Sequence, residues 1–318
     1  MSARIGEAGA DVRFSLEEVS DGVFAYVQPD GSWMINNTGF LVGRDGVSAI
    51  DACSTERRTR DLLTTIGSVT SAPVRTLVNT HHHPDHTAGN GLFTGATIVA
   101  HENAREEMRM LGLPHNSGVW TDVDYGDLRL ALPILTFADR LTLWADELRC
   151  DLLFCCSPAH TTNDVVAWLP ERSVLFAGDL LFNGGTPFLL SGSVLGAIDV
   201  LENFVRPLGA QTIVPGHGPV AGPEIIDEVL GYLRFVRDLA VRDGTPGSRR
   251  WNWRAERTWG GTPNGATGSG SSAICTAPTQ TWPCRSRRAA ARSTSPAPWP
   301  TWSPTTAAGR SPASPEPP

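Results

Sequence analysis

The sequence is most informative first in what it lacks. No stretch approaches the length of a membrane span, so a membrane-spanning protein is not expected. The first twenty residues, MSARIGEAGADVRFSLEEVS, lack a basic flank followed by an apolar run, so no secretory signal is read there. No C-x-x-C pair occurs among the six cysteines, which removes the usual thiolate metal spacing. Cys150, Cys155 and Cys156 lie in strand-like sequence and are expected to be reduced core residues of a cytoplasmic protein. Lysine is absent altogether, every basic residue being arginine. That pattern fits a GC-rich gene and says nothing of function. The formal net charge of -7 argues against a broad nucleic-acid-binding face.

What remains is a chain of 318 residues with 41% hydrophobic content, enough for a sizeable core. Short β-branched and aromatic runs bounded by Gly, Asp or Pro predict strands at 24–27, 39–42, 47–50, 75–79, 97–100, 141–144, 148–156, 165–169, 174–177 and 212–214. Helical periodicity is read at 55–66, 85–93, 101–110, 194–204 and 224–242. Strand groups broken by helices in both halves predict sheets covered by helices.

Composition changes sharply near Gly244. From Trp251 to Pro318 there is no Leu, Val, Phe, Met or Tyr, yet six of the ten tryptophans lie there. The expected division is a domain over 1–243 and a disordered Pro/Ser/Arg-rich tail over 244–318. Tryptophan is unusual in such tails, and TGG arises readily when a GC-rich gene is read out of frame. Shifting the frame over 293–310 permits a far more protein-like stretch, so the tail is also readable as an out-of-frame translation.

The chemistry concentrates in NTHHHPDHTAGN, residues 79–90. A strand delivers a loop in which alternate residues point the same way. His81 and His83 can grip one ion together, while Asp85 and His86, at the start of the next helix, can face a second. Imidazole and carboxylate donors suit zinc, and also iron or manganese. Three later residues complete the set: His160 in SPAHTTND, Asp179 in VLFAGDLLF and His217 in IVPGHGP. Each has small neighbours that permit close approach. One carboxylate can offer an oxygen to each of two ions, and Asp179 is the natural bridge. His82 occupies the alternate position and is expected to point away, while His101 and His115 have no partners in pattern.

H-x-H-x-D-H followed by separate His, Asp and His resembles the metallo-β-lactamase superfamily over about residues 15 to 235. The resemblance implies an α+β fold, a four-layer αβ/βα sandwich. It assigns His81, His83 and His160 to a first ion, Asp85, His86 and His217 to a second, and Asp179 between them, with two Zn(2+) per chain. Asp179 argues against true β-lactamases, which generally lack that bridge. His83 stands where oxygen-reducing diiron members carry glutamate. The apolar run after Asp179 lacks the basic glutathione contacts of glyoxalase II members.

The segments GSWMINNTGFLVG (31–43) and DLLFNGGTPFLLSGS (179–193) resemble actinomycete thioesterase-cyclases of aromatic polyketide pathways. This implies a small-molecule or acyl-carrier-protein-bound substrate and no nucleic-acid or membrane partner. The rival readings are a generic lactone or ester hydrolase and a metal-dependent oxygenase. Asp85 is the expected catalytic residue, both binding metal and orienting the nucleophile. Trp33, Met34, Asn183 and Phe188 are the expected pocket residues. Thr87 is read as a support of the site or, in preference, a helix cap, and Asn163 and Asp164 as hydrogen-bond partners of His160 or, equally, turn residues.

Overall fold

The computed structural model describes residues 14–28, 34–118, 121–156 and 158–243. Trp33 and the whole 244–318 segment lie outside these residues. Along the chain run β1 (Ser15–Ser20), β2 (Val23–Val27), β3 (Thr38–Val42), β4 (Val47–Ile50), α1 (Glu56–Val69), β5 (Val74–Val78), α2 (Pro84–Thr87), β6 (Thr97–His101) and α3 (Glu102–Leu111). Then come β7 (Leu135–Phe137), β8 (Arg140–Ala145), β9 (Leu148–Phe154), β10 (Val165–Leu169), β11 (Val174–Phe182), α4 (Val194–Val200), β12 (Thr212–His217) and α5 (Glu224–Asp243). No described helix is long and apolar enough to cross a membrane.

Among the described residues the strands form two sheets, ordered β1-β2-β3-β4-β5-β6-β7 and β12-β11-β10-β9-β8. The first is antiparallel from β1 to β4 and parallel from β4 to β7. In the second, only the β11–β12 pair is parallel.

Alternation along each strand explains the layering, because successive side chains point to opposite faces. Val23, Ala25 and Val27 of β2 pack with Leu41, Leu152, Phe176 and Val214 in the core between the sheets. The intervening Tyr26 faces the other way, into a second core with Leu62 and Ile66 of α1. The outer face of the second sheet buries Leu175, Ala177 and Ile213 against Leu201 of the α4 segment and Ile225, Leu230 and Leu233 of α5. The result is helix, sheet, sheet, helix, as expected.

The departures have physical causes. The predicted helix over 85–93 is a single α turn followed by a 3-10 segment over Ala88–Leu92. Gly89 and Gly91 weaken a regular helix there, and a Cβ on Gly89 would lie 2.0 Å from Thr59 Oγ1. The helix predicted over 194–204 widens into a π segment at Leu201–Val205 and ends in a 3-10 turn containing Pro207. β1 and β7 went unread because they are edge strands of few apolar residues. Cys53 and Cys150 are free and buried and Cys155 is buried, but Cys156 is disulfide-bonded, which corrects its reading as a reduced thiol.

The two sheets approach closely at Gly39 of β3. A Cβ there would lie 2.1 Å from Cε1 of the buried Phe176 ring and 2.9 Å from the Phe24 carbonyl oxygen. Gly39→Ala is therefore expected to cost about 1–3 kcal/mol through overpacking. Urea unfolding checks this: the midpoint should fall at constant m-value, and an unchanged midpoint would mean that the Phe176 ring yields freely.

Candidate metal centre

The parallel portions of the two sheets aim the C-terminal ends of their strands at one rim. Asp51 follows β4, His81 to His86 follow β5, Asp179 lies within the second half of β11, and His217 ends β12. His160 comes from the loop between β9 and β10. Backbone bonds tie these ends together: Asp51 N–H donates to the Val78 carbonyl at 2.7 Å, and Val165 N–H to the Thr80 carbonyl at 2.8 Å. Two glycines make room. A Cβ on Gly216 would fall 1.9 Å from Asp179 Oδ1, and Gly178 adopts φ 51° with its Cβ direction 2.9 Å from Thr80.

All seven predicted ligands meet in two groups that share Asp179. His81, His83, His160 and Asp179 form one, and Asp85, His86, Asp179 and His217 the other; the donor atoms of each lie within 4.8 Å of one another. His83 Nδ1 stands 2.8 Å from His160 Nε2, which stands 3.2 Å from His81 Nε2 and 3.2 Å from Asp179 Oδ2. In the second group His217 Nε2 is 3.2 Å from Asp85 Oδ2 and 3.4 Å from Asp179 Oδ2. His86 Nε2 is 3.0 Å from Asp179 Oδ1, at an angle that makes no hydrogen bond, so both buried atoms lack a hydrogen-bond partner.

The outer ring nitrogens explain the inward-facing ones. His86 Nδ1 meets Asp51 Oδ2 at 2.8 Å, and His160 Nδ1 meets the Phe188 carbonyl at 2.6 Å. His81 Nδ1 lies 3.1 Å from Thr80 Oγ1, whose own proton goes to Asp51 Oδ2 at 2.7 Å. His83 Nε2 lies 3.3 Å from Ser191 Oγ. Where the partner is an acceptor the outer nitrogen carries the proton, leaving a lone pair on the inner nitrogen. His217 is the exception, with Nδ1 unpartnered and its ring stacked on Phe182.

Three imidazole lone pairs thus converge at spacings close to the ~3.3 Å expected between tetrahedral ligands of Zn2+ at about 2.0–2.1 Å. No arrangement of single protons serves all three, whereas one cation does. The nitrogen and carboxylate donors, and the orphaned His86 Nε2 and Asp179 Oδ1, fit divalent metal.

Family comparison agrees. The model of the metallo-beta-lactamase superfamily matches residues 31–217. The chain belongs to that superfamily, a family of metal-dependent hydrolases. It is 26% identical over 223 residues to the metallo-beta-lactamase type 2 of Bacteroides fragilis, covering 67% of this chain and 82% of that protein. It is 31% identical over 141 residues to the hydroxyacylglutathione hydrolase of Rhodospirillum rubrum, covering 43% of this chain and only 45% of that one. The linear primary-alkylsulfatase of a Pseudomonas species is 25% identical over 244 residues, again with 45% of its length covered. In structure, a metallo-beta-lactamase from Pontibacter korlensis superposes with a TM-score of 0.58 at 21% identity, over 70% of this chain and 99% of that one.

Within this superfamily fold, several neighbours differ from expectation. Asp51, 2% exposed, went unread because an aspartate after a strand looks like a turn residue. It serves both halves of the centre, accepting from His86, from Thr80 N–H at 2.8 Å and from the Thr80 hydroxyl. Thr87 precedes the 3-10 segment without capping it through its side chain; its hydroxyl donates to the carbonyls of His82 and His83 and holds the ligand loop. Asp164 accepts from the His160 backbone N–H at 2.9 Å, as expected. Asn163 turns instead to His82, accepting its N–H at 3.0 Å and donating to its Nδ1 at 3.0 Å. His82 is thereby held away from the centre. His101 accepts from Asn103 N–H and caps α3. Phe188 places its ring 5.6 Å from that of His83. The Asn183 side-chain amide donates to the Pro219 carbonyl at 2.9 Å, steadying the loop after His217.

The charges divide the centre. Burial and the neighbouring histidines hold His81 far below its ordinary pKa, and burial holds His83 down at about 3. Burial also opposes protonation of His86 and His217. The carboxylates outweigh it, raising His86 through Asp179, Asp51 and Asp85, and His217 to about 9 through Asp179 and Asp85. Burial would raise Asp85, but His86 and His217 bring it down to about 2.

The metal-stripped protein is therefore expected to be most stable near pH 6.5, the ordinary histidine value. Below it, the unfolded chain takes protons that His81 and His83 refuse when folded. Above it, the stabilisation from protonated His86 and His217 is lost as pH rises toward about 9. Zn2+ should flatten the alkaline limb, because metal binds the deprotonated ligands of the folded state. Melting curves of chelator-treated protein from about pH 5 to about pH 10, with and without Zn2+, check this; an alkaline loss that persists with Zn2+ would contradict it.

Proposed function

We propose that the protein is a dinuclear zinc hydrolase cleaving an ester or thioester. The observation that carries this reading is the pair of donor groups sharing Asp179. His81, His83 and His160 would hold one ion, Asp85, His86 and His217 the other, with Asp179 between. When bound, the metal pair supplies a water made nucleophilic near neutral pH and a Lewis acid for the scissile carbonyl.

The chain's own residues do the rest. Asp85 is the carboxylate a reactant reaches, its side chain 11% exposed against 4% for Asp179. It orients the attacking water through a hydrogen bond and accepts its proton as the carbonyl is attacked. Asp179 lies beneath and keeps the two groups in register. Asp51 and Thr80 hold His86 and His81 in the tautomers that leave Nε2 free. Phe188, beside His83 and His160, gives the entrance an apolar wall that suits an acyl or aromatic substrate.

The relatives named as hydroxyacylglutathione hydrolases support thioester chemistry. At the substrate level we read an aromatic polyketide acyl thioester, small or carried on an acyl carrier protein, with release coupled to cyclisation. The resemblance of segments 31–43 and 179–193 supports this, and a simple lactone or ester is the other outcome of the test.

Purified protein assayed against thioesters, esters and lactones, with metal content measured alongside, is expected to show zinc and carbonyl-ester cleavage. Asp85→Asn should lower kcat by about 10²–10⁴-fold. Stoichiometric iron with oxygen consumption and no cleavage would instead establish an oxygenase.

A further inference from the structure

The histidines of the centre take their outer partners from two different parts of the molecule. His86 and, through Thr80, His81 are set by Asp51, a carboxylate buried in the rim of the first sheet. His83 and His160 take their outer partners from one irregular strap between β11 and α4. That strap supplies the Phe188 carbonyl to His160 Nδ1 at 2.6 Å and Ser191 Oγ to His83 Nε2 at 3.3 Å. The strap is seated by its backbone. Ser193 N–H donates to the Ala159 carbonyl at 2.8 Å, and a Cβ on Gly192 would strike the Ala159 and His160 carbonyl oxygens at 2.0 and 2.5 Å.

For His83 the geometry is decisive about the tautomer. Its Nδ1 faces His160 Nε2 at 2.8 Å within the donor group, so with an ion held there Nδ1 would be the ligand atom, the proton would belong on Nε2, and Ser191 Oγ would be its acceptor. His83 is also the one histidine of the centre that is only partly buried, so packing restrains its ring least. We propose that Ser191 is a positioning residue that holds His83 Nδ1 toward the first metal group, and that this group alone is set by the strap. The proposal rests on the dinuclear reading above. It also links the centre to its substrate: Phe188 and the 74% exposed Leu190 ride on the same strap, so an acyl chain resting there bears on the segment that orients His83 and His160.

The test titrates the full chain with Zn2+ against a chelator of known affinity, and with Co2+ followed by its visible absorption. In Ser191→Ala one ion should bind about 10–100-fold more weakly while the other is unchanged, as loss of an outer partner of a metal histidine does. Ser191→Thr, which keeps the hydroxyl, should restore it, and the thermal midpoint of the metal-free variants should match the parent, since Ser191 is exposed. In Asp51→Asn the loss should instead include the His86 group. Equal weakening of both ions in Ser191→Ala, or no weakening of either, would overturn the proposal. If the parent chain binds a single ion, the dinuclear reading falls, and the role of Ser191 then stands or falls on whether Ser191→Ala weakens that ion.

Discussion

The convergence of imidazole lone pairs on Asp179 is the constraint on which the rest of the structure depends. Five histidines and two aspartates are brought within contact of one another, all of them buried except the partly buried His83. Unpaired, such a cluster costs several kcal/mol per buried charge or unsatisfied donor. Protons can satisfy part of it: in the metal-free chain His86 and His217 balance the carboxylates. They cannot satisfy the trio of His81, His83 and His160, whose nitrogens face one another. A divalent cation at each group would remove both difficulties at once, and metal binding would then add its free energy to that of folding.

The sandwich exists to hold that cluster at a rim. Helix-covered parallel strands end in loops that can carry ligands without disturbing the core. Here β4, β5, β11 and β12 do so from two sheets that meet face to face. Gly39 lets the sheets close, and Gly216 and Gly178 keep side chains out of the space that Asp179 and Thr80 need. These are steric requirements of the centre, met by the absence of a Cβ at positions far apart in the chain.

Much of this was legible in the sequence, for identifiable reasons. The ligands announce themselves because H-x-H-x-D-H places several coordinating groups within six residues, a spacing that chance seldom supplies. The central strands are legible because both of their faces are buried, giving dense apolar runs such as VLFAGDLLF, buried at every position of β11. The two edges of the first sheet are not: SLEEVS of β1 is amphipathic and half solvated, and LTF of β7 is three residues long. Asp51 was hidden because its role is made by partners thirty residues away, in Thr80 and His86. Asn163 and Thr87 were placed near the centre by proximity in sequence, but which carbonyl or ring a short polar side chain reaches is decided by the turn it sits in.

The division of charge around the centre bears on the chemistry. Asp51 stands behind His86, and Asp85 beside it, so the second group gathers negative charge from three carboxylates when Asp179 is counted. In the first group His81 and His83 are held unprotonated, chiefly by burial, a carbonyl and a hydroxyl stand behind His160 and His83, and Asp179 is the one carboxylate of the group. A carbonyl oxygen that gains negative charge during attack is better tolerated on that neutral side, where fewer anions oppose it. The proton given up by the nucleophile is better accepted on the other, at Asp85. The neutral side is also the one flanked by Phe188 and the strap. On the proposed reading, an acyl group entering along that apolar wall would meet the less anionic half first, with its carbonyl oriented toward it and Asp85 left on the side from which water must come.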